Sequence, residues 1–303
     1  MSAAILVSEL RVHYRQKKGG VLEAVKGLSF QVEPGEVVGF LGPNGAGKSS
    51  TLKALMGFVT PSSGQCQVFG HPAGTIAAKT RMGYLPEIAN YYPYLTPLET
   101  LRLYGELQGL SGQALIKESK DLLEQVGVGH AIHKQNRTMS KGMLQRVGIA
   151  QSMLGSPELL VLDEVTSGLD PIGRQELRAL LRERQQAGCT LLFSSHELAE
   201  VAMLCDRILV IHQGQLIEER ELPALKDELR QYRLLFIGGA PMVGLTDILE
   251  EQEDGSVLAE FECKHKLLEA FERVNDSKGR ILDVIAQEGS LEDYFIRTIA
   301  RAA

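Results

Sequence analysis

The segment Gly42-Pro43-Asn44-Gly45-Ala46-Gly47-Lys48-Ser49 constrains this chain more than any other, because it fits the pattern Gly-x-x-x-x-Gly-Lys-Ser/Thr at every fixed position. Its surroundings agree. Val37 to Leu41 is a short apolar run that reads as a buried strand, and Ser50 to Met56 reads as a helix. A strand, a glycine-rich turn and a helix start together form an anion cradle. Glycines let the backbone turn sharply and approach a ligand, so that successive N–H groups point at phosphate oxygens. The helix N-terminus adds unpaired donors and a positive partial charge. In such a loop Lys48 reaches the β- and γ-phosphates of a nucleotide and the Ser49 hydroxyl ligates Mg²⁺. The expected ligand is therefore a nucleotide with Mg²⁺, cradled by Gly42, Pro43, Asn44, Gly45, Ala46, Gly47, Lys48, Ser49 and Ser50.

A chain of 303 residues with 44% hydrophobic content holds one large domain, or one domain and a small one. Its formal charge of −6 disfavours nucleic acid as a bulk partner, since phosphate backbones are held by clustered Lys and Arg. The four cysteines, Cys66, Cys189, Cys205 and Cys263, are scattered and include no Cys-x-x-Cys pair. They suggest neither a zinc site nor a redox dithiol, and suit a reducing compartment. Met1 to Val7 lacks a basic stretch and its apolar run ends at Ser8-Glu9, unlike a secretion signal. No window approaches the roughly 20 apolar residues of a membrane span. Work at a membrane would need a second chain.

Beyond the phosphate loop the pattern alternates. Strands are expected at Ile5–Val7, Phe30–Val32, Gln65–Phe69, Leu159–Leu162, Thr190–Ser194 and Arg207–Ile211. Between about Thr96 and Ser156 helical spacing takes over, with Thr96 as N-cap and Pro97 at the first helical position. Helices are also expected at Ile172–Gln186 and from about Glu197 to Leu204. Strands alternating with helices predict a mostly parallel sheet covered on both faces. Glu218 to Leu229 reads as a charged linker or a helix interrupted by Pro223. Residues 230–303 read as a small α+β appendage, with a last helix starting at Ser290 and Asp293.

A second chemical feature sits at Asp163-Glu164, two carboxylates ending the apolar run Leu159–Leu162. Asp163 suits Mg²⁺, directly or through water. Glu164 can orient and deprotonate an attacking water.

Met139-Ser140-Lys141-Gly142-Met143-Leu144-Gln145-Arg146 resembles the signature segment of ABC ATPases, usually Leu-Ser-Gly-Gly-x-x-x-Arg. Ser167-Gly168-Leu169-Asp170 resembles that family's D-loop, Ser194-Ser195-His196 its switch histidine, and Gly83-Tyr84-Leu85-Pro86-Glu87 its Q-loop. Tyr14 sits where the family stacks an aromatic ring on adenine. Order and spacing match over roughly residues 4–220.

The resemblance implies an α/β fold: a P-loop ABC ATPase domain with a mostly parallel sheet core, an antiparallel β subdomain and a helical insert. This domain would occupy residues 1–222, with the helical part at about 88–156. A linker and C-terminal α+β domain would follow at 223–303. In the family two such domains meet head to tail, with two ATPs between them. The resemblance then gives Ser140 and Gly142 the γ-phosphate of a partner's nucleotide, His196 that of its own, and Asp170 the link between sites. Catalysis would rest on Glu164, His196 and Lys48, and Mg²⁺ on Ser49, Asp163 and Glu87.

Three positions depart from the family pattern. Glu87 replaces a glutamine, Lys141 a glycine, and Val165 the proline that commonly follows the glutamate. The Ser-Lys-Gly variant resembles bacterial exporter ATPases that pair with a separate transmembrane permease. That implies a homodimer or heterodimer of ATPase subunits, peripheral at the cytoplasmic face of the plasma (inner) membrane. Tyr91, Tyr92 and Tyr94 lie where the permease docks in such transporters, or else pack locally under the helical insert. Two other readings are a soluble ABC ATPase acting on ribosomes or nucleic acid, and a regulatory module without turnover. The first lacks a second ATPase domain or basic segments here. The second is at odds with the retention of Lys48, Asp163, Glu164 and His196.

Overall fold

The computed structural model of the chain describes residues 2–302 apart from 17–18, 89, 196–197, 239–241, 243, 247–248, 253 and 288. The chain divides into two compact units, one ending at Glu219 and one from Arg220 to Arg301.

The first unit opens with two long strands, β1 (Ile5–Arg15) and β2 (Val21–Val32), paired antiparallel. Residues on β1 alternate between buried and more accessible positions, as a sheet with one covered face requires. β3 (Val37–Leu41) is buried at every residue and leads through the phosphate loop into α1 (Lys48–Leu55). Then come β4 (Ser63–Val68), β5 (His71–Pro72), the short α2 (Ile76–Lys79) and β6 (Met82–Leu85).

Three helices follow: α3 (Pro97–Leu107), α4 (Gly112–Gln125) and α5 (Lys141–Ser152). Thr96 caps α3 in a reciprocal capping box. Its hydroxyl accepts from Glu99 N at 3.2 Å, and the Glu99 carboxylate accepts from Thr96 N at 2.8 Å. The unit closes with β7 (Leu159–Asp163), α6 (Pro171–Gln186), β8 (Thr190–Ser195), α7 (Leu198–Leu204), β9 (Arg207–His212) and β10 (Gln215–Glu221).

Two sheets result. One is four-stranded, in the order β2-β1-β4-β5, with antiparallel pairings. The other is six-stranded, in the order β10-β9-β3-β8-β7-β6. In it β3 runs parallel to β8 and β9, and β7 parallel to β6 and β8. The strands β3, β7 and β8 are buried along their whole length, which explains why they read as continuous apolar runs. A two-residue turn joins β9 to β10, and Gln213 and Gly214 both take positive φ (48° and 84°), as a tight hairpin requires.

In the second unit α8 (Leu222–Leu229) precedes β11 (Gln231–Ile237), β12 (Leu249–Glu251), β13 (Ser256–Phe261), α9 (Lys264–Asp276), β14 (Arg280–Gln287) and α10 (Leu291–Ala302). The strands form an antiparallel sheet in the order β12-β13-β11-β14. Its core joins Leu234 and Phe236 of β11 and Ala259 and Phe261 of β13 to Leu267, Ala270 and Val274 of α9. Ser290 marks the start of α10, its hydroxyl accepting from Asp293 N at 3.0 Å.

Pro223 corrects a sequence expectation. It does not interrupt a helix but sits in the first turn of α8, where its missing N–H has no intrahelical partner to lose.

Candidate functional site

The parallel sheet sets the site by aligning four strand ends. Leu41, the last residue of β3, lies beside Ser195 of β8. Ser194 lies beside Asp163 at the end of β7, and Leu162 beside Leu85 at the end of β6. The segments leaving these ends are the phosphate loop, Glu164 and its loop, and Pro86-Glu87. They gather along one edge, the carboxyl end of the strands, where open α/β sheets bind ligands.

The phosphate loop is held tightly from behind and open in front. Gly47 has φ 109°, and a Cβ there would stand 2.6 Å from Ala24 O. At Gly42 a Cβ would stand 2.4 Å from Ile211 O. Only glycine fits either place. The Ala46 carbonyl accepts from Gly214 N at 2.8 Å, which fastens the loop to the β9–β10 turn. Gly45, by contrast, has φ 80° and open space around a built Cβ, and Asn44 beside it is exposed. The N-cap of α1 is Gly47, which has no side chain to occupy the first N–H groups of the helix. Ser49 and Ser50 follow in its first turn, exposed and half-buried respectively.

Lys48 is the charge at the centre. It is 8% exposed, and its ammonium donates to Gly42 O at 2.5 Å and to Pro43 O at 3.4 Å. Burial pushes its pKa down, against the upward pull of Glu164, Asp163 and Glu87. Desolvation wins over three nearby carboxylates, so the site presents a cation poorly compensated by solvent. An anionic ligand would supply that compensation.

The acidic side faces it. Asp163 is 5% exposed and accepts a hydrogen bond from the Ser194 hydroxyl. Burial raises its pKa, and Glu164 and Glu87 push the same way; Ser194 and Lys48 oppose them without reversing the shift. A divalent cation would relieve this crowding of negative charge.

The donors at hand, a serine hydroxyl at Ser49 and carboxylates at Asp163 and Glu87, are hard oxygens that fit Mg²⁺. Among the described residues no group of three or more His, Cys, Asp or Glu side chains is placed to hold a metal by itself. Mg²⁺ at this edge would complete its shell with water and phosphate oxygens, its usual practice. Glu164 takes the left-handed conformation, φ 52°, and its N–H donates to Ser194 O at 3.0 Å. That conformation is uncommon outside glycine and marks a backbone held by its surroundings.

Other sequence-predicted residues are placed differently. Ser140 and Gly142 open α5: Ser140 caps its own helix, and Gly142 packs on the loop that follows Glu164. The Ser140 hydroxyl accepts from Met143 N at 3.2 Å, and a Cβ on Gly142 would stand 2.8 Å from Gly168 O. Asp170 is the N-cap of α6, accepting from Gly173 N at 2.9 Å. Tyr14 is half-buried on β1, packed against the core beneath the antiparallel sheet. Glu87 is exposed. His196 lies outside the described residues.

Two residues of the quoted motifs, Ser194 and Gln145, gain a role that the sequence does not assign them. Ser194 holds Asp163; its signal was a hydroxyl at a strand end in register with the carboxylate. Gln145 is buried and donates to Val165 O at 2.9 Å.

A second feature of this unit is an apolar cavity of about 900 Å³ lined by Phe58, Ile76, Met82, Tyr84, Tyr91 and Leu107, among others. Phe58, Ile76 and Leu107 are 60%, 81% and 74% exposed. Tyr91 packs edge-on against Tyr104 with ring centroids 6.1 Å apart, whereas Tyr92 and Tyr94 are exposed. The three tyrosines therefore divide between local packing and surface.

Comparison with known proteins agrees with this geometry. The family model described as ABC transporter matches residues 25–167, a span that includes the phosphate loop, the Ser140–Gly142 segment and Asp163-Glu164. An ABC transporter ATP-binding protein of Synechocystis is 37% identical over 92% of this chain and 79% of its own length. The bacitracin transport ATP-binding protein of Bacillus licheniformis is 34% identical over 98% of this chain and 90% of its own. The Nod factor export ATP-binding protein I of Burkholderia lata is 34% identical over 94% of this chain and 95% of its own. A solved ATP-binding subunit of an ABC transporter superposes with a TM-score of 0.67 at 29% identity, covering 74% of this chain and 92% of that one. With its phosphate loop, acidic strand end and helical segment in the family's order, the chain belongs to the ABC transporter ATP-binding proteins and is an ATPase.

Proposed function

We propose that this chain works as one half of a head-to-tail pair, enclosing MgATP between its own phosphate loop and the Ser140–Gly142 segment of a second subunit. The observation that carries the reading is the split within the chain. Lys48, Asp163, Glu164 and Glu87 converge at one sheet edge, while Ser140 stands exposed at the start of α5, its hydroxyl capping its own helix. A phosphate bound at Lys48 is then covered on one side only, and a helix N-terminus from another subunit is suited to close the other.

Within the enclosed site each residue has a role. Lys48 and the N–H groups of residues 45–49 hold the β- and γ-phosphates. Ser49, Asp163 and Glu87 would hold Mg²⁺, which neutralises charge on the phosphate oxygens. Glu164 orients a water and takes its proton as the water attacks the γ-phosphorus, with ADP as leaving group. His196, by resemblance, contacts the γ-phosphate, and Asp170 links the two sites.

No helix among the described residues is long and apolar enough to cross a membrane. The coupled movement would therefore be received by a separate permease. The apolar cavity between Phe58, Ile76 and Leu107, with Tyr92 and Tyr94 exposed in the same unit, offers it a docking surface. The name of the Nod factor export relative supports an exporter, and that of the bacitracin transport relative a transporter. Docking on a permease would place the chain peripherally at the cytoplasmic face of the inner membrane.

Phosphate release from ATP by the full chain tests the role of the ion. Removing Mg²⁺ with EDTA lowers the rate by about a hundredfold or more, and excess Mg²⁺ restores it. Turnover that persists in EDTA would remove the ion from the reading.

A further inference from the structure

Three contacts fasten the start of α5 to the loop that follows Glu164. Gly142 approaches it through the backbone, with a built Cβ 2.8 Å from Gly168 O. Gln145, buried one turn further on, donates to Val165 O at 2.9 Å. The third is made by Lys141, the residue that replaces a glycine of the family pattern. Its ammonium donates to Ser167 Oγ at 3.2 Å, and its Cγ, Cδ and Cε lie 3.1–3.2 Å from where a Cβ on Gly168 would be. Ser167 N in turn donates to Glu164 O at 3.1 Å. Two hydrogen bonds therefore connect Lys141 to the backbone of Glu164. A glycine at position 141 has no atoms with which to make this connection.

We propose that Lys141 is a positioning residue for hydrolysis: it holds Ser167 and Gly168 against α5 and so keeps Glu164 aimed for water activation. The need for such a hold is visible at Glu164 itself. Its φ of 52° is a conformation that persists only where neighbouring structure imposes it. Ser194 O fixes the loop on the sheet side by accepting from Glu164 N, and Lys141 fixes it on the helix side. The arrangement also joins the segment that would face a partner's nucleotide to the residue that acts on the chain's own. The proposal rests on the assignment of Glu164 as the base and of Ser140–Gly142 as half of a composite site.

The test compares Lys141→Met, which keeps most of the methylene chain and removes the donor, with Lys141→Arg, which keeps a charged donor. Lys141 is exposed, so both variants fold. Two quantities are read on the full chain: steady-state ATP hydrolysis, and hydrogen–deuterium exchange of residues 164–170 without nucleotide. Lys141→Met lowers kcat about three- to tenfold, the worth of one solvent-exposed hydrogen bond, with KM for ATP unchanged and exchange across 164–170 faster. Lys141→Arg restores both.

Unchanged exchange, or faster exchange with kcat unchanged, overturns the proposal. A raised KM at unchanged kcat also overturns it, by placing Lys141 on the nucleotide. Failure of the composite-site reading shows separately, as a Glu164→Gln chain that binds ATP and stays monomeric. The kcat and exchange comparison of the Lys141 variants does not depend on that result.

Discussion

The two sheets that carry the most different tasks in this molecule are built in opposite ways. In the six-stranded sheet β3, β7 and β8 are buried at every residue, and the loops that matter leave their ends side by side. In the appendage the edge strand β14 is exposed at all eight positions, and Ile281, Val284 and Ile285 are 37%, 43% and 46% exposed. A strand buried on both faces has no freedom of register, so the residue after its last hydrogen bond is fixed in space. That is what the roles proposed for Lys48, Asp163 and Glu164 need, because phosphoryl transfer depends on positioning and electrostatics more than on covalent chemistry. The appendage sheet is anchored by one helix, α9, and its stability rests on a small core around Phe236 and Phe261.

The contrast sharpens if one residue is changed in each unit. Gly47→Ala should do the greatest harm to turnover. Its Cβ would stand 2.6 Å from Ala24 O at φ 109°, so the loop must move, and a displacement of about 1 Å at a reacting group costs on the order of a hundredfold in rate. Near-normal ATP hydrolysis by this variant would show that the loop is not held as tightly as its contacts indicate. Phe236→Ala should do the reverse. It removes a core side chain of the appendage, at about 3–5 kcal/mol measured by denaturant unfolding. ATP hydrolysis should stay within about twofold of the parent chain, because the second unit has its own core. A proportionate loss of hydrolysis would show that the appendage is part of the catalytic core.

The same contrast explains what could be read from the amino acids alone. The phosphate loop was legible because its glycines are demanded by backbone geometry, which leaves a fixed spacing in the sequence. The capping box at Thr96 and the buried runs of β3, β7 and β8 were legible for similar local reasons.

Elsewhere the signal was non-local. β2 runs from Val21 to Val32, far longer than the stretch Phe30–Val32 that suggests a strand, because Glu23, Lys26 and Gly27 break the apolar pattern. Glu23 is held there by Arg11 of the neighbouring strand, a pairing that no local window contains. Pro223 misled because proline stops a helix interior yet suits a first turn, and where the helix began was the open question. The hold of Ser194 on Asp163 and of Lys141 on Ser167 spans 31 and 26 residues of chain. Motif spacing places such residues in order, but only the fold brings them into contact.

The proposed enclosure of ATP between this chain and a second subunit is tested most directly by Glu164→Gln, with a second copy of the chain as the subunit supplied. That variant should bind ATP and Mg²⁺ but lack the proposed base that ends the bound state. Gel filtration should show a dimer with ATP and a monomer with ADP. A variant that binds ATP with normal affinity and still elutes as a monomer would contradict the account.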